Sequence, residues 1–458
     1  MSSDSGTTEQ LRQLAIDHLW QHNRDWETAA RDQEPLIFVA GDGIRVTDTD
    51  GQTWIDVNGG YSSVNIGYGR TEIAEAAFEQ LRQIPYFPQG SANPPTIKLA
   101  AKLAELAPGN LNRAFPVSGG SLANETALKV ARAYQKRRGH DGRFRMISRR
   151  GSYNGATGGV LFLGSVPSSP RTDYEPAPPG MVYAPQPNAY RCELGSESPE
   201  ECAVRCAQAI EDLIRFHGPE TVAAFIAEPV SSGPGAVMPD PIYWTMLRDI
   251  CTRHGVLLIA DEVITGFGRT GKLFAMEHFG IVPDIMTIAK GISSSYLPLG
   301  ATLATDDVAA EFASAGKHLR HVFTFAGHPA SAAAGLKNIE LIQSEELVDN
   351  AARTGEYLSE KLHELQERHP IIGDVRGIGF MQALDLVADR ETRAIYPEEA
   401  KLVERINARF KKQRLLIKAH SGHIINLSPP LCTTRDDLDE IVAGISQTLG
   451  EVEAELDS

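Results

Sequence analysis

Long apolar runs are missing from this 458-residue chain. No stretch approaches the roughly 18 consecutive apolar residues of a membrane-spanning helix, so no membrane partner is predicted. Residues Met1–Ser5 lack the basic patch and apolar core of a secretory signal. Basic residues are also in deficit: 44 Lys and Arg against 59 Asp and Glu leave a formal net charge of −15. Because phosphate backbones are bound by basic surfaces, this balance argues against a nucleic-acid partner.

Cysteine is scarce as well. Cys202 and Cys206 are four positions apart on an expected helix, Cys192 lies ten positions earlier, and Cys251 and Cys432 are isolated. A zinc site would want tighter pairs and a fourth ligand, so no metal is predicted. We expect reduced thiols and a cytoplasmic location.

What the chain does contain is an alternation of strands and helices between about 113 and 300. Its near-continuous apolar runs are typical of parallel strands buried on both faces. Amphipathic helices are predicted between them at 204–216 and 241–254. The expected fold class is α/β. The runs are Phe144–Ile147, Val222–Ala227, Val256–Ala260 and Ile285–Ile288.

The two ends of the chain differ from this middle part. Residues 1–35 have the pattern of a helical arm, and Gly41–Gly43 is flanked by apolar residues that predict a hairpin. Residues 165–200 are interpreted as a long surface excursion, and 346–458 as alternating helices and strands ending in a helix. The expected division is an arm with part of a small domain (1–75), a large domain (76–335) and a C-terminal small domain (336–458).

Two strands in this middle part lead to charged residues. Asp261 ends the run Val256–Ala260, and Lys290 follows Ile285–Ile288. A lysine and an aspartate carried by adjacent buried strands predict a pyridoxal phosphate (PLP) site. The lysine would hold the aldehyde as an imine, and the aspartate would keep the ring nitrogen protonated.

A phosphate cradle is predicted upstream, where Ser118–Gly119–Gly120–Ser121 precedes a strong helix. Tyr153 could stack on the cofactor ring, and Thr324 offers another hydroxyl. Glu228 follows a third buried strand. Ligands of open α/β sheets gather at the carboxyl ends of strands, so these residues are expected in one crevice.

A competing interpretation is a nucleotide-binding site. Asp261–Glu262 resembles the magnesium-binding strand end of a P-loop ATPase, and Gly266–Lys272 matches the first seven positions of a P-loop. The eighth position is Leu273 instead of the Ser or Thr that would hold magnesium. The acidic strand also precedes the loop instead of following it. Both departures argue against ATP binding.

Taken together these residues resemble the class III aminotransferases, the branch of PLP fold type I that includes ω-amino acid and amine:pyruvate aminotransferases. The resemblance extends from about Pro35 to Val452. Its most specific parts are Leu258–Gly271 and Ala289–Gly291, with Ser118–Lys129 and Pro429–Leu431 in the same order. It implies a large, mostly parallel seven-stranded-type sheet between helices, and a small α+β domain built from both termini.

The resemblance also implies roles for individual residues. Lys290 would bind the cofactor covalently, Asp261 would pair with the ring nitrogen, and Val263 and Tyr153 would pack on opposite ring faces. It implies a homodimer in which Thr324 of one subunit reaches the other subunit's phosphate. The implied cofactor residues are Gly120, Ser121, Tyr153, Asn154, Glu228, Asp261, Val263, Lys290 and Thr324, and the implied substrate residues are Tyr61, Ser62, Phe87 and Lys418.

Four positions depart from the family's pattern. Leu122 stands where Glu is usual, Asn154 where His is usual, and Ser62 where the residue is often aromatic. Lys418 stands where an arginine often grips the substrate carboxylate, and lysine lacks the bidentate fork. Either Lys418, His420 or His423 holds a carboxylate differently, or the substrate has none there.

The leading hypothesis is transamination from an amine or ω-amino compound to a keto acid such as pyruvate, through alternating pyridoxal and pyridoxamine phosphate. A racemase, aminomutase or decarboxylase on the same fold is the alternative, motivated by the missing arginine. A non-catalytic binding protein on a decayed enzyme fold is the third hypothesis, against which the joint presence of Lys290 and Asp261 argues.

Overall fold

The computed structural model describes residues 6–32, 34–164, 171–196, 198–420 and 423–456. Its helices are α1 Thr8–His18, α2 Trp26–Arg31, α3 Gly59–Ser62, α4 Thr71–Gln83, α5 Pro94–Leu106, α6 Gly120–Arg137, α7 Pro199–His217, α8 Ile242–His254, α9 Asp306–Ala310, α10 Pro329–Ser344, α11 Leu347–Arg368, α12 Leu402–Lys412 and α13 Arg435–Leu456. Its strands are β1 Phe38–Asp42, β2 Arg45–Asp48, β3 Thr53–Ile55, β4 Arg113–Val117, β5 Arg145–Arg149, β6 Met181–Ala184, β7 Val222–Ala227, β8 Leu257–Asp261, β9 Ile285–Ile288, β10 Gly300–Ala304, β11 Ile372–Ile378, β12 Met381–Leu386, β13 Ala419–His420 and β14 Ile424–Leu427. No helix among these described residues is both long and apolar enough to cross a bilayer.

A seven-stranded sheet forms the centre of the molecule, in the order β4-β10-β9-β8-β7-β5-β6. Only β10 is antiparallel to its neighbours, so the expected mostly parallel sheet is confirmed. Strands β7, β8 and β9 are wholly buried, as their continuous apolar sequences predict. Because β8 and β9 are parallel neighbours, the residues at their carboxyl ends lie side by side.

Two smaller antiparallel sheets connect the ends of the chain. Strands β1–β3 form one, and β11-β12-β14-β13 form the other. Ile55 N–H donates to Arg414 O, and Leu416 N–H donates to Ile55 O, so β3 lies along the segment before β13. Ser428 N–H donates to Val57 O in the same way. The N-terminal sheet therefore packs with the C-terminal part of the chain.

Two expectations about secondary structure were wrong. The interpreted excursion 165–200 contains strand β6, which pairs with β5 at the sheet edge; residues 165–170 and 197 of that segment lie outside the described ranges. The C-terminal part has a hairpin, β11–β12, where one strand was expected. Strand β6 is short and half-buried, so its sequence lacks the continuous apolar run of the central strands.

The P-loop-like segment is structural. The buried Arg269 guanidinium donates to the carbonyl of Pro429, to Asn65 Oδ1 at 2.9 Å and to Phe380 O at 3.3 Å. A Cβ added to Gly271 would lie 2.9 Å from the Cα of Ala352. The segment thus packs tightly against helix α11 and residues 429–431, which leaves no room for a nucleotide phosphate there.

Candidate active site

One cavity of about 330 Å³ opens at the carboxyl ends of the central strands. It brings together eight of the residues singled out from the sequence: Gly120, Ser121, Tyr153, Asn154, Glu228, Asp261, Val263 and Lys290. They lie in the loops after β5, β7, β8 and β9, at the end of β8 and at the start of α6. The predicted convergence of strand ends is therefore observed.

Lys290 begins the loop that follows β9 and has a backbone φ of 45°, in the left-handed region that lysine rarely adopts. Such strain persists only where the surroundings hold the backbone, and it is common at functional sites. Asn338 supplies part of that support, donating from Nδ2 to Gly291 O at 2.8 Å and Ile292 O at 3.0 Å. The lysine is thus held at a defined place in the cavity.

The ammonium of Lys290 donates to the carbonyl oxygen of Tyr61 at 2.8 Å. Burial lowers the pKa of Lys290 to about 8; the Glu228 and Asp261 carboxylates oppose this, and Arg269 reinforces it. A lysine with such a pKa has a substantial neutral fraction near neutral pH. It can therefore act as a nucleophile and as a proton acceptor.

The carbonyl that receives this hydrogen bond belongs to an unusual turn. Gly59, Gly60, Tyr61 and Ser62 all have φ between 50° and 63°. Consecutive left-handed residues are costly for side chains with a Cβ. The carboxylate of Asp56 stabilises the turn by accepting from Gly60 N–H at 2.7 Å, and the Ser62 hydroxyl hydrogen-bonds Ser428 Oγ at 2.7 Å.

Asp261 lies at the end of β8, buried beneath the cavity. Its Oδ2 accepts from Asn124 Nδ2 and Asn154 Nδ2, each at 2.7 Å. Burial raises the pKa of Asp261, and the hydrogen bonds from these amides and from the Val263 backbone oppose that shift. Since a buried carboxylate favours a nearby cation, this site suits a protonated ring nitrogen.

Helix α6 begins at Gly120, so its first N–H groups have no acceptor within the helix, and Gly119, Gly120 and Ser121 line the cavity. A Cβ on Gly120 would lie 2.7 Å from Val263 Cγ1, whereas one on Gly119 would meet nothing within 4 Å. Ser121 Oγ accepts from Ala156 N–H at 3.1 Å. A helix start with open space in front of it suits a phosphate.

Glu228 and Tyr153 form one wall. Glu228 is buried and accepts from Ser232 N–H at 2.9 Å, Ser232 Oγ at 2.6 Å and Tyr153 N–H at 3.3 Å. Burial raises its pKa, and the nearby Asp261 charge adds to the effect. Tyr153 is partly exposed to the cavity, where its ring can cover a flat ligand.

These residues fit PLP. A lysine with a lowered pKa, a buried carboxylate and a helix start line the same cavity, as an aldehyde, a ring nitrogen and a phosphate require. Asn154 Oδ1 is also buried without a hydrogen-bond partner, which indicates that a ligand group belongs beside it. By this arrangement Lys290, Asp261 and the Gly120–Ser121 turn would hold the cofactor.

Five predicted residues do not line this cavity. Tyr61 meets Lys290 only through its carbonyl, and its side chain is 77% exposed. Phe87, Lys418 and Thr324 are exposed as well, and Thr324 O accepts from Tyr86 Oη at 2.8 Å. Ser62 points to Ser428. Their predicted contacts with cofactor or substrate therefore stay predictions.

Asn124 and Thr287 belong to the site but were not singled out from the sequence. Asn124 is buried on α6, and Thr287 Oγ1 donates to Asn124 Oδ1 at 2.7 Å and reaches Asp261 Oδ1 at 3.4 Å. Polar residues in otherwise apolar buried segments are the signal that could have identified both.

Comparison with known proteins places the chain in a family. The model of the aminotransferase class-III family matches residues 28–449. A taurine–pyruvate aminotransferase of Bilophila wadsworthia is 36% identical, over 98% of this chain and 99% of its own length. The putrescine–pyruvate aminotransferase of Pseudomonas aeruginosa is 34% identical, over 94% and 97%.

The fold agrees with the sequence match. The crystal structure of an (S)-enantioselective omega-transaminase from Thermomicrobium roseum superposes with a TM-score of 0.93 at 38% identity, covering 98% of this chain and 99% of that one. The predicted PLP fold type I is thereby confirmed. The chain belongs to the class-III aminotransferases, which are PLP-dependent transaminases.

Proposed function

We propose that this enzyme moves an amino group from an amine or ω-amino compound to a keto acid such as pyruvate. The observation that carries the proposal is the joint placement of Lys290, Asp261 and the start of α6 around one cavity. Relatives whose names specify pyruvate as acceptor support it. No feature of the cavity favours a racemase, aminomutase or decarboxylase instead.

The protein's part in this chemistry is to hold, orient and move protons. When bound, PLP supplies an aldehyde that captures amines and a ring that withdraws electrons. Asp261 would keep the ring nitrogen protonated, the start of α6 would bind the phosphate, and Tyr153 and Val263 would orient the ring. Glu228 and Asn154 complete the wall beside it.

Lys290 has two roles in the proposal. Its neutral amine would hold the cofactor, and the same nitrogen, when free, would take the proton from the substrate's amine-bearing carbon. The Tyr61 carbonyl, 2.8 Å away, gives the displaced amine a hydrogen-bond acceptor. The free amine of Lys290 would therefore stay close to the carbon from which it takes the proton.

The substrate end of the cavity is proposed to involve Tyr61, Ser62, Phe87 and Lys418. Lys418 is an exposed cation near strand β13. Its ammonium would meet a substrate carboxylate as a single point charge, without the two parallel hydrogen bonds of an arginine. An acceptor carboxylate held by Lys418 would bind less tightly than one held by an arginine. Amine donors without a carboxylate would not need this contact.

The proposed assembly is a homodimer in which Thr324 completes the partner's phosphate site. The exposed position of Thr324 supports this, since it lies outside its own subunit's cavity. We further propose a cytoplasmic enzyme with a large domain over 76–335 and a small domain formed by 1–75 and 336–458. The backbone pairing of β3 with residues 414–416 supports joining the two ends.

A single-turnover experiment tests the function. The PLP-loaded protein, given an amine donor without keto acid, should release one equivalent of carbonyl product per bound cofactor and then stop; pyruvate should restore turnover. Continued consumption of the amine without an acceptor would contradict transamination and favour the alternative chemistries. Lys290→Ala should lose the covalent attachment, seen as loss of the lysine-bound cofactor absorbance.

A further inference from the structure

The carboxylate of Asp261 is surrounded by neutral donors. Besides the two asparagine amides on Oδ2, its Oδ1 accepts from Val263 N–H at 3.1 Å, and Thr287 Oγ1, which donates its hydrogen to Asn124 Oδ1, lies 3.4 Å away. No arginine, lysine or histidine donates to it within the described residues. Hydrogen bonds to a charged acceptor are stronger than neutral ones, so these donors hold the carboxylate in one orientation.

The two amides are themselves fixed. Asn124 donates from Nδ2 to Asn154 O as well as to Asp261, both at 2.7 Å, and its Oδ1 accepts from Thr287. Its orientation is therefore determined at both ends. Asn154 uses Nδ2 on Asp261, while its Oδ1 is buried and unpaired. These hydrogen bonds thus connect α6, β8, β9 and the loop after β5 around the carboxylate of Asp261.

The titratable groups that face Asp261 are Glu228, Tyr153 and Lys290. None of them donates a hydrogen bond to it. The groups in direct contact are amides, a hydroxyl and a backbone N–H, and none of these changes protonation between pH 5 and 9. A histidine at 154 would introduce a group that titrates within this range.

We infer that Asn154, with Asn124 behind it, is a positioning residue that fixes Asp261 against the ring nitrogen of the cofactor and makes that contact independent of pH. The inference rests on the proposed placement of PLP. The function assigned to Asn154 is to donate a hydrogen bond to Asp261 from a group that does not titrate.

The test uses full-length holoenzyme and its cofactor-free form. Asn154→Asp places a second carboxylate against Asp261, and we expect the dissociation constant for PLP to rise about tenfold or more, as loss of a charged hydrogen bond implies. Asn154→His should add a titration step between about pH 6 and 7 to the absorbance of the bound cofactor. The wild-type protein should lack that step.

Asn350→Asp is the matched control, because the Asn350 amide also holds neighbouring groups through Nδ2, by donating to the carbonyls of Leu431 and Thr433, but lies outside the cavity. It should lower the melting temperature and leave PLP affinity and the pH titration unchanged. If Asn154→Asp does not fold, the pH titration of Asn154→His still tests the inference.

Wild-type PLP affinity in Asn154→Asp, or no added step in Asn154→His, would overturn the inference while the proposed function stands. A wild-type protein that does not bind PLP at all would overturn both.

Discussion

At the scale of single residues, the proposed chemistry depends on the amine of Lys290, whose pKa is lowered by burial. Lys290 is enclosed among a helix start, strand ends and the carbonyl of Tyr61. Removing an ammonium from water disfavours its charged form, which is the reason its pKa falls to about 8. A free lysine of pKa about 10.4 would be almost fully charged at neutral pH.

We predict that cofactor attachment to the cofactor-free protein speeds up with pH. Only the neutral amine attacks an aldehyde, so the rate should rise about tenfold per pH unit below 8 and level off above it. Stopped-flow absorbance between pH 6 and 9.5 measures this rate. A rate still rising steeply above pH 9 would show that Lys290 keeps an ordinary pKa.

A second prediction at this scale concerns Lys418. If its ammonium meets the acceptor's carboxylate, Lys418→Ala should raise KM for pyruvate several-fold, as expected for loss of about 1 kcal/mol of binding, with kcat for a simple amine donor changed little. Lys418→Arg should lower KM through bidentate contact. Steady-state kinetics with both substrates varied separates these effects. Equal KM values in all three proteins would remove Lys418 from the site.

At the residue scale, the sequence predicted which residues would come together where the chemistry requires particular residue types. A lysine and an aspartate at the ends of buried strands are seldom required for packing, and both line the cavity. Asn124 and Thr287 were not predicted, because what matters about them is their contact with the Asp261 carboxylate. Asn124 is 137 positions and Thr287 is 26 positions from Asp261 in the sequence. Periodicity and composition do not encode such pairings.

At the scale of elements, glycines allow three backbone segments to pack in direct contact around the P-loop-like segment. A Cβ on Gly355 of α11 would lie 2.5 Å from the Cα of Gly379, and one on Gly379 would lie 2.5 Å from the carbonyl carbon of Thr270. Gly379 also has a φ of 56°. Three segments therefore touch without intervening side chains.

We predict that Gly355→Ala lowers the free energy of unfolding by about 1–3 kcal/mol, because backbone atoms would have to move. The matched control is Gly450→Ala in α13, where the added methyl would meet only His369 Cε1 at 3.8 Å. That change should stabilise the protein by up to about 1 kcal/mol through helix propensity. Denaturant unfolding measures both. Equal effects in the two helices would contradict the packing argument.

Central elements were more predictable than peripheral ones. Strands β7, β8 and β9 are buried on both faces, so their sequences are continuously apolar and their bounds were predicted within one residue. Strands β6 and β11 lie at sheet edges and are only partly buried, so their sequences are mixed. Strand β12 is wholly buried, but its sequence includes Gln382 and Asp385 and is therefore not continuously apolar. Their pairing is set by neighbours that local sequence does not identify.

At the scale of the whole molecule, the surface around Phe325 is apolar. Val322 is 77% exposed and Phe325 is 65% exposed; Phe325 packs edge-on against Tyr86, next to the exposed Phe87. Exposed apolar clusters of this kind mark interaction surfaces. The proposed homodimer gives this surface an occupant, a second copy of the chain.

If the proposed homodimer uses this surface, Phe325→Asp should weaken the dimer and, with it, PLP binding, because Thr324 would no longer reach the partner's phosphate. Sedimentation velocity at micromolar concentration and cofactor absorbance measure the two effects together. Phe216→Asp is the control, since Phe216 is 83% exposed on α7 and should alter neither. A Phe325→Asp protein that stays dimeric would place the interface elsewhere.

The left-handed turn at residues 59–62 has a consequence for how this enzyme can diversify. Positions 61 and 62 tolerate few amino acids, because β-branched side chains are strained at positive φ. Mutational libraries there should yield active clones enriched in Gly, Asn and Asp and depleted in Val, Ile and Thr. If positions 61 and 62 contact the substrate as proposed, changes in amine specificity should arise mainly at neighbouring positions with ordinary backbone geometry, and the turn limits which substitutions can evolve.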